Sequence, residues 1–180
     1  IGGIAPTLNP VPASVLADTV FAGEAEHAAV EAVIRMAVQN NKTGAAEKLT
    51  PMSGMKIPGA NSAAPRFILS RDQIESSMVT GYDDQSAGVF DCAGLVEVGR
   101  GCGRGCRFCA AGFAYLPVRH RSVDAILHDV ATYRGTTDRI GLVGASVSDH
   151  PGLAEIMQRI VSQGFGLTTS SFRADRLDCT

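Results

Sequence analysis

Leu95-Val96-Glu97-Val98-Gly99-Arg100-Gly101-Cys102-Gly103-Arg104-Gly105-Cys106-Arg107-Phe108-Cys109 is the stretch from which the fold and the chemistry of this chain are read. Leu95 to Val98 read as an apolar strand, and it runs without a break into a glycine-rich loop. That loop spaces its cysteines as Cys-x3-Cys-x2-Cys. Glycines at 101, 103 and 105 allow tight backbone turns, so three thiolates on one short loop can converge on a single site. Thiolates suit iron–sulfur clusters and zinc. The ligand count separates the two. Structural zinc closes a tetrahedron with four protein ligands, usually as two Cys pairs. Three cysteines leave one metal position open, and a zinc site would have to recruit Cys92, Cys179, His120 or His128.

Working downstream, Ser122 is placed to cap a helix whose apolar face is Val123, Ile126, Leu127, Val130 and Ala131, ending at Gly135. Arg139 to Ala145 reads as a second buried strand, followed by a polar loop with Ser146, Ser148 and Asp149. Pro151 suits the first turn of a helix with Leu153, Ile156, Met157, Ile160 and Val161 on one face, closed by Gly164. Leu167-Thr168-Thr169-Ser170 reads as a third strand. The order strand, Cys loop, helix, strand, helix, strand predicts a parallel α/β sheet of barrel or doubly wound type. Three parallel strands with an open edge and half-covered faces do not make a complete catalytic domain, so the chain is expected to be a fragment of a longer protein.

Upstream, Thr19-Val20-Phe21-Ala22 is a short strand candidate closed by Gly23. Ala25 to about Gln39 has Ala29, Val33, Met36 and Ala37 at helical spacing. Ile1-Gly2-Gly3-Ile4 reads as the tip of a strand entering a Gly turn, and the strand ahead of it is missing. Residues 40–66, with Thr50-Pro51, Ser53-Gly54 and Pro58-Gly59, hold no periodicity and read as a connector. The expected organisation is 1–40 as the end of one α/β domain, 41–90 as linker, and 91–180 as the start of a barrel.

The 180 residues are 45% apolar and 19% charged, the profile of a soluble globular protein. A net charge of −2 gives no global reason to expect nucleic acid or an acidic membrane surface as partner. No apolar run approaches the roughly 18 residues needed to span a bilayer, and the start has no signal-peptide layout. Five cysteines, three of them in one loop, read as metal ligation in a reducing cytoplasm and not as a disulfide scaffold.

The stretch Glu97 to Arg119, with Cys102, Cys106, Phe108 and Cys109, resembles the signature of radical S-adenosylmethionine (SAM) enzymes. It is most similar to the branch with an N-terminal cobalamin-binding domain. Ile1-Gly-Gly-Ile-Ala-Pro-Thr-Leu-Asn-Pro10 and Asp18-Thr-Val-Phe-Ala-Gly-Glu-Ala-Glu26 are similar to the closing part of that domain, although Ala25 replaces a glycine of the usual Gly-Glu-Gly-Glu. Gly144-Ala-Ser-Val-Ser-Asp149 and Ser170-Ser-Phe-Arg-Ala-Asp175 resemble the ends of the second and third barrel strands. The resemblance implies the end of a Rossmann-like cobalamin-binding domain followed by the first three βα units of a partial TIM-type barrel.

It also implies that Cys102, Cys106 and Cys109 hold a 4Fe–4S cluster whose fourth iron is chelated by SAM, with Phe108 near the adenine. Reductive cleavage of SAM would then give methionine and a 5′-deoxyadenosyl radical. The cofactor supplies the hard step, and the protein supplies placement and electrostatics. Strand ends are where such barrels build sites. Arg173 is expected to pair with the SAM carboxylate through a bidentate fork. Ser146, Ser148 and Ser171 are expected beside it, with helix capping as the plainer role for the first two. Gly2 and Gly3 are expected to pass close to a cobalamin tail. The Asp-x-His-x-x-Gly loop that supplies a cobalt ligand in some cobalamin proteins is not in these residues. Arg100, Arg104, Arg107, Arg119 and Arg121 read as a patch that offsets cluster charge, preferred over RNA binding because no aromatic interleaving repeats along it.

The expected function is a cobalamin-dependent radical SAM methyltransferase acting at an unactivated carbon. An electron donor such as flavodoxin or ferredoxin is the expected partner. Radical SAM rearrangement, cyclisation or sulfur insertion is a second reading, and a zinc-binding interaction module without catalysis a third. The fragment alone is expected to be inactive.

Overall fold

The structure, a computed structural model, describes residues 7–9, 11–16, 20–24, 26, 55–56, 68–76, 80–82, 93–170 and 172–176. The chain divides into two units, Ile1–Leu69 and Ser70–Thr180. In the first, a short helix α1 (Ala13–Leu16) precedes strand β1 (Val20–Phe21), which pairs antiparallel with β2 (Met55–Lys56). Val20, Phe21 and Ala22 are buried, as the apolar run predicts. Gly23 N–H donates to Thr7 Oγ1 at 2.9 Å, and Leu69 N–H donates to the buried Glu24 carboxylate at 2.8 Å. The strand tip at Ile1–Ile4 and the helix expected from Ala25 to Gln39 lie outside the described residues, apart from Glu26.

The second unit holds α2 (Arg71–Ser76), β3 (Thr80–Tyr82), β4 (Gly94–Arg100), α3 (Ala111–Ala114), β5 (Arg119–His120), α4 (Val123–Thr132), β6 (Arg139–Gly144), α5 (Leu153–Ser162) and β7 (Gly166–Thr169). Strands β4, β6 and β7 are parallel and adjacent, with Val96 opposite Leu142 and Leu142 opposite Thr169. The predicted β–loop–α–β–α–β order is therefore present. The sheet is mixed, however, and not parallel as expected. Both β3 and β5 pair antiparallel with β4, through Thr80 opposite Val96 and Arg100 opposite Arg119. Both occupy the edge of β4 away from β6, where sequence pattern placed no strand. The reason is local: the cysteine loop folds back on the strand it leaves, and a two-residue strand such as Arg119–His120 is too short to show a period of two.

The core forms where one face of the sheet meets α4 and α5. Val96, Ile140 and Leu142 from the strands pack with Ile126, Val130, Ile156 and Ile160 from the helices, all at most 1% exposed. Each such side chain contributes about 1.5–3 kcal/mol through removal from water. Helix α4 starts as the sequence predicts, with Ser122 Oγ accepting from Ala125 N–H at 3.2 Å. After α4 the ring of Tyr133 lies where a Cβ on Gly94 would be, 2.7 Å away, and its hydroxyl donates to Leu95 O at 3.1 Å. This parallel arrangement brings three segments to the C-terminal end of the strands: the cysteine loop after β4, Ser146–Asp149 after β6, and Arg173–Arg176 after β7.

Candidate functional site

The cysteine loop leaves β4 at Gly101, whose φ of +80° is one that L side chains rarely adopt. A Cβ there would also stand 2.4 Å from Tyr115 O and 2.8 Å from Pro117 O. Those two carbonyls are gathered by Arg119, which is buried and donates from Nη2 to Tyr115 O at 3.0 Å and from Nε to Pro117 O at 2.9 Å. The return leg of the loop is thus stapled over Gly101. Gly105 supplies a second positive φ, +60°, and Cys109 N–H donates to Cys106 O at 3.1 Å to close a turn.

Cys102, Cys106 and Cys109 are all free thiols; Cys106 is exposed and the other two partly so. Their chemistry fits a soft metal or an iron–sulfur cluster, which takes thiolates from a reduced loop. Among the described residues no three His, Cys, Asp or Glu side chains stand close enough together to hold a metal ion. Cys92 and Cys179 lie outside the described residues.

Beside Cys102 an open cavity of about 290 Å³ is bounded by Arg104, His120, Ser146, Asp149 and Arg176. Asp149 is its hub. Arg104 forks onto the carboxylate, Nε to Oδ2 at 3.0 Å and Nη2 to Oδ1 at 2.6 Å, and Ser146 Oγ–H donates to Oδ2. Arg173 and Arg176 approach to 3.7 and 3.8 Å. The bond from Arg104, then that from Ser146, holds the Asp149 carboxyl well below the usual carboxylate range. His120 is pushed below its ordinary value, first by burial and then by the neighbouring His150. The two rings meet edge to face at 5.1 Å. His150 is buried; Gly152 N–H donates to its Nδ1 at 3.0 Å, so Nε2 carries the proton and donates to Arg121 O at 2.8 Å.

Of the residues expected around SAM, Phe108 is 93% exposed at the tip of the loop. Ser146 is tied to Asp149, and the buried Ser148 accepts from Arg173 N–H at 3.3 Å. Neither serine caps α5, whose N-cap is Gly152. Arg173 faces Asp175, with Nε 2.9 Å from Oδ1. Ser171, Gly2 and Gly3 lie outside the described residues.

The arginine patch read from residues 100–121 is dispersed in the fold. Arg100 forks onto Glu97 at 2.7 and 3.0 Å, Arg119 is the loop staple, and Arg121 is buried against Asp129 at 2.8 Å. Only Arg104 and Arg107 of the five are exposed. Strand pairing turns successive arginines to different surroundings, and desolvated guanidinium groups take carboxylate or carbonyl partners. Sequence pattern does not single out Asp149 as a binding residue, and it offers His120 only as a possible fourth ligand to zinc. The clue to Asp149 was its position at the end of a strand–Ser-x-Ser-Asp segment.

A profile of the Radical SAM superfamily matches residues 96–178. All three loop cysteines fall inside the matched residues. The chain is 32% identical over 93 residues, 51% of its length, to an uncharacterized protein of Methanocaldococcus jannaschii. It spans 21% of the length of that relative. No solved structure gives a significant match. Among the described residues no helix is long and apolar enough to cross a membrane.

Proposed function

We propose that this chain is the cluster-binding part of a radical SAM enzyme. The observation that carries the reading is the set of three free thiols on one loop at the C-terminal end of β4, inside the matched domain and beside a cavity at the strand ends. Cys102, Cys106 and Cys109 would hold a 4Fe–4S cluster. When bound, that group supplies the electron that cleaves SAM to methionine and a 5′-deoxyadenosyl radical.

The chain's own part is placement. Gly101 and Arg119 set where the loop leaves and rejoins the sheet. The exposed Phe108 is available to an adenine ring, and Ser146, Ser148, Ser171 and Arg173 are proposed for the amino-acid and ribose groups of SAM. Arg173 would exchange Asp175 for the SAM carboxylate, a like-for-like swap of one carboxylate fork for another. The finer reading is cobalamin-dependent methyl transfer to an unactivated carbon, with Gly2 and Gly3 beside the cobalamin and flavodoxin or ferredoxin as reductant. It rests on the resemblance of residues 1–26.

Anaerobic reconstitution of the protein with iron and sulfide, read by iron content and EPR, tests the proposal. A reduced 4Fe–4S signal that SAM perturbs, lost in Cys106→Ala, is the expected result. Stoichiometric zinc in place of a cluster would overturn it. Uptake of cobalamin, read in the visible spectrum, tests the finer reading.

A further inference from the structure

Every residue from Gly103 to Phe108 is exposed, so this part of the loop has little buried surface to hold it in place. Its Arg104 nevertheless reaches 45 residues along the chain to make a two-bond fork with Asp149. The support under that carboxylate is firm. Asp149 ends a helical turn, Val147–Asp149, whose Val147 is fully buried and whose Asp149 N–H donates to Ser146 O at 3.1 Å. Ser146 Oγ–H donates to the same carboxylate and orients it. The Asp149 side chain is 17% exposed against 41% for Arg104, so the acid belongs to the scaffold and the arginine to the loop.

We propose that Asp149 is a positioning residue for the cysteine loop: by gripping Arg104 it tethers the loop to the end of β6 and keeps Cys102 and Cys109 partly shielded until a metal is taken up. The proposal deepens the reading of this loop as the ligand loop and rests on it. Its chemistry is that of the apo thiols, so it is testable without activity.

The full chain, reduced and metal-free, is pulsed with iodoacetamide, and alkylation at each cysteine is followed by mass spectrometry. In Arg104→Gln and Asp149→Asn, Cys102 and Cys109 should react about fivefold faster, the upper end for a partly exposed pair. Cys106, already exposed, should change by less than about twofold. The charge swap Arg104→Asp with Asp149→Arg should bring Cys102 and Cys109 back toward the parent rates. Unchanged rates at Cys102 and Cys109 in a folded variant would overturn the proposal. So would an equal rise at all three cysteines with a lowered melting temperature, which marks general loosening. If Asp149→Asn does not fold, Arg104→Gln decides alone, since its side chain packs against little. If the parent takes up no iron while the alkylation pattern holds, the cluster reading falls and the tether stands.

Discussion

Gly101 and Asp149 do different kinds of work at the same loop. Gly101 is required twice, by its positive φ and by carbonyl oxygens closer than any Cβ contact. Gly101→Ala should cost about 1–3 kcal/mol through backbone strain, read by urea unfolding, and should lower iron loading in the same preparation. Asp149 acts through charge. Its folded carboxyl titrates below its ordinary value of 3.8, so the stability it contributes is present above that pH and is lost as pH falls below it. The difference in unfolding free energy between the parent and Asp149→Asn should be constant from pH 7 to about pH 5 and shrink toward pH 3. A gap that widened in acid would contradict the Arg104 fork. The need for glycine at 101 was legible in the sequence; the partner that sits over it was not, because it arrives from residues 115–117.

Helices α4 and α5 are the elements that sequence predicted best. Both are ten residues long and begin and end close to their predicted signals, with Gly135 and Gly164 at positive φ beyond them. Local rules suffice there, since a period of 3.6 and a cap are properties of neighbouring residues. Ser122→Ala should cost about 1 kcal/mol of stability, measured by denaturant unfolding, because Ala125 N–H loses its acceptor. Strands β3 and β5 escaped prediction for the opposite reason. At three and two residues they are defined by the strand they pair with, and β4 chooses them by geometry.

Across the second unit, Arg121 joins several elements. It is 2% exposed, donates to Glu97 O in β4 at 3.0 Å, lies 3.4 Å from Glu75 O in α2, and meets Asp129 of α4 at 2.8 Å. Removing it leaves a buried carboxylate uncompensated, so Arg121→Ala should destabilise the fold by about 3–5 kcal/mol in a chemical denaturation experiment. Replacing Arg121 and Asp129 together by Met and Leu should recover much of that loss, since neither charge is then stranded. The sequence by itself determined the cysteine triad, the glycines that let its loop turn, the amphipathic helices and the parallel order of β4, β6 and β7, because each is written in spacings of a few residues. Only the tertiary structure decided which arginines are structural, which strands close the far edge of β4, and that Asp149 holds the cysteine loop. Those outcomes depend on groups dozens of positions apart that meet at the strand ends, and no local pattern records which carboxylate a desolvated or tethered guanidinium will find there.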